Sequence, residues 1–525
     1  MMNDDCIKIV LEKLAEDTDS ANTLFTTTLL NKTWNLLATQ NLYKDPWKYC
    51  LYNYCDKKKL ISTYILCYEY FNNANFNRVN TDEPLPKRPC TGEITPDIYI
   101  PRYDYISKAN NLHIPVLYKC IESWYASTKN PIIRPDEITD DMRLNVNDKF
   151  FQLLKMFIDR ALIKECTFHE SQEFTAYPIQ LQHLNELITT LFNRHLHLRY
   201  LNLGYFNCND NGLEILTDKC TALETFKIKA YGCSDEALAK FLRAQRKLTK
   251  LKIRDATEMR ETMNAIGTLS QSIVKLRILN CNLENCTSPF TNIGECTRLR
   301  SLYMRCISFT TNTSLSQLLM PIAQNCEFHN IDFSKTPLPV EVLIEIAKKS
   351  STTLRRVHLV RPDNDTQYLD LSAGIEALAQ YATNLRHFER DILPSEIDST
   401  SYFLNSIGQS LERLEIDSNM DGRDMSNLIE TIGRKCQKLC VLNISNFEFN
   451  LDAFEELVNG CRLLHTLNID YSQSVNDRVL ELLVHASSLQ TLYIKLCPNV
   501  SVEEIERFHE EREFAGEREV EVEYY

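Results

Sequence analysis

The chain has 525 residues, too many for one globular core and suited to a repeat array joined to a small domain. Apolar residues make up 44% and charged residues 25%, which excludes a disordered chain, and the net charge of −13 argues against a general affinity for nucleic acid. Residues 501–525 hold ten Glu and three Arg, so −7 of the −13 is local and −6 is left for the other 500 residues.

In chain order, residues 3–43 read as three short helices. Ile7, Val10, Leu11 and Leu14 share one helical face; Leu24, Phe25, Leu29 and Leu30 form a second; Trp34, Leu37 and Ala38 form a third. The opening Met1-Met2-Asn3-Asp4-Asp5 has no basic region followed by an apolar run, so no signal peptide is expected. Residues 44–74 are aromatic-rich and helical in pattern, with Tyr64, Ile65 and Tyr68 among the apolar positions. Five prolines between Asn72 and Pro101 predict a loop or partly disordered segment. Helical periodicity returns at Val116–Ala126 and Phe150–Ala161, and a weak repeat at Ile163/Cys166/Phe168 is placed as the array's N-terminal cap.

From Leu198 onward one pattern dominates. Leu198-x-x-Leu201-x-Leu203 recurs at Leu223/Phe226/Ile228, Leu248/Leu251/Ile253, Ile273/Leu276/Ile278 and Leu299/Leu302/Met304, and continues to Leu489/Leu492/Ile494 in steps of 25 to 31 residues. A degenerate copy at Leu385/Phe388 has Arg390 in the third apolar place. A short strand followed by a helix, repeated at this length, is the leucine-rich repeat, and about 12 copies predict an α/β horseshoe solenoid with its strands on the concave face. Cys220, Cys296, Cys436 and Cys461 each lie three residues before a repeat's first Leu, where a small buried thiol suits the closure of one coil on the next. With 19 cysteines and no C-x-x-C pair, a disulfide framework is not expected, and reduced thiols imply the cytoplasm or nucleus. The acidic end, 501–525, reads as a solvated terminal segment whose Val520, Val522 and Tyr524 alternate like a last strand.

Residues between the leucines of each strand point to the concave face. Lys227, Lys229, Lys250, Lys252, Arg254, Lys275, Arg277 and Arg305 line up there as a basic ladder suited to an acidic or phosphorylated segment. Later repeats change sign, with Glu389, Asp391, Glu415, Asp417 and Asp470. The alternative is that exposed strands simply carry lysine and arginine against edge-to-edge aggregation.

Two stretches carry a family resemblance. One is Asp4-Asp5-Cys6-Ile7-x-x-Val10-Leu11-x-x-Leu14, followed by Leu29-Leu30-Asn31-Lys32-x-Trp34-Asn35-x-Leu37-Ala38 and Leu42-Tyr43. The other is Pro101–Ser107. With the repeats, they resemble fungal-type F-box/leucine-rich-repeat proteins, the substrate receptors of SCF (Skp1–cullin–F-box) ubiquitin ligases. The resemblance implies an F-box at 1–45, a helical connector at 46–160 with its loop at 72–101, a solenoid at 161–500 and an acidic cap or tail at 501–525. It implies that Ile7, Val10, Leu11, Leu14, Leu29, Leu30 and Trp34 dock Skp1, and through it cullin and a RING protein, while the solenoid holds a protein substrate. The same side chains can instead form a private three-helix core. A leucine-rich-repeat scaffold unrelated to ubiquitin is the competing function.

Neither a G-x-x-x-x-G-K-[ST] nor a G-x-G-x-x-G loop is present among only 12 glycines. His195-x-His197 is read as capping a surface turn rather than binding a metal. His509-Glu510-Glu511 lacks the second histidine of a zinc-protease helix. No stretch approaches 18 apolar residues. The expectation is a non-catalytic adaptor with no cofactor, no metal, no nucleic-acid partner and no membrane span.

Overall fold

The computed structural model describes residues 106–129, 140–168, 189–195, 197–204, 208–286, 288, 290–309, 312–361, 370–417 and 423–524, and before them Leu11, Ala38, residues 42–45, Trp47, residues 60–65, Cys67 and Tyr68. The chain divides into two compact units, 1–248 and 249–525.

In the first unit, strands β1 (Asn111–His113), β2 (Glu165–Thr167), β3 (Tyr200–Asn202) and β4 (Thr225–Lys229) run parallel in chain order. Their middle residues Leu112, Cys166, Leu201 and Phe226 lie opposite one another and are fully buried. The weak repeat around Cys166 therefore does not end the sheet, because β1 pairs outside it. Asn111-Leu112-His113 has a single apolar residue, which is why spacing alone did not reveal it. Helices Ile114–Lys129 and Asp140–Arg160 pack together, with Tyr118 and Phe150 ring centroids 5.3 Å apart and the Tyr118 hydroxyl donating to Asn147 Oδ1 at 2.9 Å. Trp47, Tyr64 and Phe157 form an aromatic cluster, and Trp47 Nε1 donates to the Asn111 carbonyl at 2.8 Å, tying the cluster to β1.

The second unit adds strand after strand in sequence order, all parallel: β5 (Lys250–Arg254), β6 (Lys275–Leu279), β7 (Ser301–Arg305), β8 (Asn330–Asp332), β9 (Arg356–His358), β10 (His387–Asp391), β11 (Arg413–Asp417), β12 (Val441–Asn443), β13 (Thr466–Asn468), β14 (Thr491–Tyr493) and β15 (Glu521–Glu523). One apolar row crosses them in register, from Leu251, Leu276 and Leu302 through Ile331, Val357 and Phe388 to Leu414, Leu442, Leu467 and Leu492. Each of these residues is at most 1% exposed. A repeat cannot cover its own row; the next repeat does, and burying each leucine stabilises by about 1.5–3 kcal/mol. The chain is thus an α/β leucine-rich-repeat solenoid, with a parallel sheet on one side and helices on the other.

Local chemistry fixes each coil. Asn209, Ser234, Asn450 and Ser501 cap helices by accepting a backbone N–H with their side chains. Strand exits turn through left-handed backbone at Asp255, Asn280, Cys306, Lys335, Asn446, Tyr471 and Leu496, with φ from 52° to 63°. Gly433 and Gly460 let helices Ser426–Lys435 and Leu451–Gly460 meet: a Cβ on Gly460 would sit 1.9 Å from the Gly433 carbonyl oxygen. Before the strands, Cys220, Cys296, Cys436 and Cys461 are buried, and Cys326 shares the role. Cys326 Sγ lies 3.6 Å from the Cys296 carbonyl and Cys461 Sγ 3.5 Å from the Cys436 carbonyl, so each thiol leans on the preceding coil. All the described cysteines are free thiols.

Two departures from the pattern are resolved by the structure. Arg390 fills the third apolar place of β10 without exposing its charge: it is 5% exposed, and Glu396, 0% exposed, receives Nη2 at 2.7 Å and Nε at 3.3 Å. Glu396 also accepts the backbone N–H groups of Leu371 at 2.8 Å and Leu393 at 3.0 Å, while Arg390 Nη1 donates to the Leu359 carbonyl at 3.1 Å. In the acidic end, where a last strand is expected around Val522, β15 pairs with β14, and ahead of it helix Val502–Phe514 forms. Ile505, Phe508 and Arg512 bury one face of that helix, and the Arg512 guanidinium donates to the carbonyls of Leu483, Val484, Ala486 and Arg518.

Replacing Arg390 with leucine strands a buried carboxylate and is expected to lower stability by about 3–5 kcal/mol; adding Glu396→Gln should recover part of that loss. Urea unfolding of the single and double variants checks this, and an R390L chain as stable as the parent contradicts it. Burial pushes the thiols of Cys296 and Cys461 up to about 12 and that of Cys326 up to about 11. An alkylating reagent near neutral pH should therefore leave these three unmodified in the native protein while labelling the exposed Cys306, as read by peptide mass mapping with and without denaturant.

Candidate protein-binding face

Along each strand the buried leucines alternate with residues that face away from the helices. In the second unit these residues form two rows in register. The first runs Lys250, Lys275, Ser301, Asn330, Arg356, His387, Arg413; the second runs Lys252, Arg277, Tyr303, Asp332, His358, Glu389, Glu415. The register places Lys250 opposite Lys275 and Lys252 opposite Arg277. Tyr303 stands beside Arg277, and both the Lys275 Nζ (4.9 Å from the ring centroid) and the Arg277 Cζ (4.5 Å) lie over its ring. That ring provides the two cations with a fixed seat, each contact contributing about 0.5–1 kcal/mol at an exposed position.

Not all eight residues of the basic ladder join this group. Lys227 and Lys229 belong to the first unit, on β4, where Lys227 Nζ lies 5.1 Å from the Tyr200 ring centroid. Arg254 and Arg305 are separated by Leu279, which occupies the register position between them. Arg254 Nε is 3.5 Å from Asp255 Oδ2. Arg305 is ion-paired to Asp332, a carboxylate with no exposed side-chain surface, and this hydrogen bond holds the arginine further in its charged form. Four residues therefore stand together, Lys250, Lys252, Lys275 and Arg277, with Tyr303 as their wall. Spacing located all four; Asp332 was missed because an Asn-Ile-Asp strand gives no sign of which carboxylate will turn back on the preceding coil.

The acidic stretch is internally matched. Glu389 pairs with His358 and Glu415 with Arg413. Asp391 accepts the Arg361 N–H at 2.9 Å, and burial raises its carboxyl above the usual range. Burial lowers His387, which faces Arg356 and Arg413 across the register, so it is held toward its neutral form. Asp470 is not on the open face: it is 7% exposed, lies beyond the last residue of β13, and accepts the Lys495 N–H at 2.6 Å to brace the next turn.

Of the residues assigned to Skp1 docking, Leu11 is helical and fully buried. Ile7, Val10, Leu14, Leu29, Leu30 and Trp34 lie outside the described residues, as do the loop 72–101 and most of 1–45. His195 is buried with Nε2 2.9 Å from the Ile158 carbonyl, and burial lowers its pKa, so it closes a helix end rather than pairing with His197. Among the described residues no group of three His, Cys, Asp or Glu side chains is placed to hold a metal, and no helix is long and apolar enough to cross a membrane.

No family model and no curated protein matches the chain. Among solved structures, a chain of the complex of Rad7 and Elc1 in yeast aligns over 74% of this chain and 90% of its own length at 13% identity and a TM-score of 0.40. An internalin from Listeria monocytogenes aligns over 57% and 84% at 12% identity and a TM-score of 0.34.

Proposed function

We propose that the protein is a substrate-recognition adaptor of an SCF-type ubiquitin ligase. Its N-terminal segment docks Skp1, and the open face of its repeat sheet holds a target protein. The observation that carries this reading is the combination of two things in one chain: the F-box-like residues from Ile7 to Trp34, and a solenoid whose helix-free face gathers Lys250, Lys252, Lys275 and Arg277. The apolar residues of the F-box segment are of the type that lies in a groove on a partner. The chain itself performs no chemistry in this scheme. Cullin, a RING protein and a ubiquitin-loaded enzyme reach the target because the receptor raises the effective concentration of a target lysine near the thioester. The adaptor works in the cytoplasm or nucleus.

Two variants separate the halves of this proposal. Leu30→Ala with Trp34→Ala should lose Skp1 on co-expression and affinity purification, whereas a scaffold unrelated to ubiquitin would never have held it. Charge reversal at Lys250, Lys252 and Arg277 to Glu should keep Skp1 and lose the target, scored by quantitative proteomics of Skp1-bound complexes. Target capture that survives the triple reversal removes the sheet face from the mechanism.

A further inference from the structure

On the helical side of the second unit, charges are matched between neighbouring helices. Arg434 of helix Ser426–Lys435 reaches Glu456 of helix Leu451–Gly460 at 3.3 Å and Glu430 at 3.0 Å. Arg507 of helix Val502–Phe514 reaches Asp477 of helix Asp477–Val484 at 3.7 Å. The pair of helices in between departs from this pattern. Leu451–Gly460 and Asp477–Val484 each line the gap between them with a glutamate, Glu455 and Glu481. Neither carboxylate has an ion-pair or hydrogen-bond partner among the described residues. The gap itself is a cleft of about 380 Å³. Its origin is local. Gly433 and Gly460 draw Leu451–Gly460 onto the helix before it, whereas Asp477–Val484 holds no glycine and is eight residues long against ten.

The cleft has an apolar base and a charged rim. Cys461, Leu464 and Leu489, all buried, line the base. Two arginines stand close by, and both already serve main-chain carbonyls at the ends of these helices. Arg462 Nε donates to the Asn459 carbonyl at 3.2 Å, and Arg512 Nη1 donates to those of Leu483 at 2.9 Å and Val484 at 3.0 Å. His485 also lines the cleft. With histidine neutral, Glu455, Glu481 and Arg462 sum to −1, so the cation that meets the neighbouring carboxylates in the other helix pairs has no counterpart here. Pockets for small organic ligands measure about 300–1,000 Å³ and are apolar with a few placed polar groups. An ammonium or guanidinium beside a carboxylate is attracted more strongly against an apolar wall than in open water, because less solvent screens the pair. A single lysine side chain from a partner would leave much of this volume unfilled and forgo its packing contacts. We infer that the cleft between Leu451–Gly460 and Asp477–Val484 binds a small organic cation: an amine or guanidine on an apolar body, its head met by Glu455 and Glu481 and its body resting on Leu464 and Leu489.

The test uses the purified full-length chain and two fluorescent probes. Dansylcadaverine carries an apolar ring system on an aminopentyl stem; dansylamide has the same rings and no ammonium. Dansylcadaverine should bind saturably, read as brighter and blue-shifted emission, and about tenfold or more tightly than dansylamide, the gap that charge-assisted hydrogen bonds supply. Added salt should weaken it, and the unfolding midpoint should rise with its concentration. Glu455→Gln with Glu481→Gln should bring dansylcadaverine down to the affinity of dansylamide. Asn459→Trp, which sets an indole on the wall of the cleft, should weaken both probes. All three positions are exposed, so without probe these variants should unfold at the parent midpoint. Equal binding of the two probes leaves an apolar crevice and overturns the cation site. Variants that bind dansylcadaverine as the parent does place it elsewhere and overturn the inference, as does a parent chain that binds neither probe. Displacement of the dye by a lysine-bearing helical peptide at a lower concentration than pentylamine needs assigns the cleft to a protein partner and overturns the small molecule. None of these readouts involves Skp1 or the open face of the sheet, so the ligase reading is judged separately.

Discussion

One constraint organises this molecule: no coil can hide its own leucines. Leu251 is covered only because Leu276 lies in register beside it, and Leu276 only because Leu302 does, so the fold exists as a stack or not at all. The requirement reaches outward from the strands. It calls for a small residue where a helix closes onto the next strand, met by Cys296, Cys326, Cys436 and Cys461, and for helices that approach as closely as Gly433 and Gly460 allow. It also frees the other face of every strand. Residues such as Lys252, Arg277 and Tyr303 take no part in closing the core, so they can be chosen for what they bind.

The same constraint explains why the sequence was so legible over one region and not elsewhere. Leucines at fixed spacing announce the strands from Leu201 to Leu492, and alternation then tells which lysines and arginines share a face. Strand β1 carries no such signal, because its Asn-Leu-His has one apolar residue where the pattern needs three. Arg390 looked like a defect because its partner Glu396 lies on the following turn, and nothing in a one-dimensional pattern says that a charge will be matched inside the core. Position alone groups Arg305 and Asp470 with the open face, yet one is claimed by a buried carboxylate and the other braces a turn. Periodicity reports backbone placement and is silent about which charges pair.

Electrostatics along the open face follow a simple division. On β5 and β6 cation faces cation; from β8 to β11 carboxylates meet Arg305, His358 and Arg413 within the protein. The acidic stretch is therefore quiet, its field largely spent on internal partners, while β5 and β6 bring four cations together. A protein that is acidic as a whole thus gathers Lys250, Lys252, Lys275 and Arg277 on two neighbouring strands among its described residues.

After β14 the chemistry of the coil changes. Helix Val502–Phe514 covers the last coil, Arg512 gathers the loose carbonyls at the end of the preceding helix, and β15 takes the open hydrogen bonds of β14. A helix whose arginine must meet the particular carbonyls of the coil before it cannot be moved one coil inward unchanged, so this contact belongs to a single place in the stack.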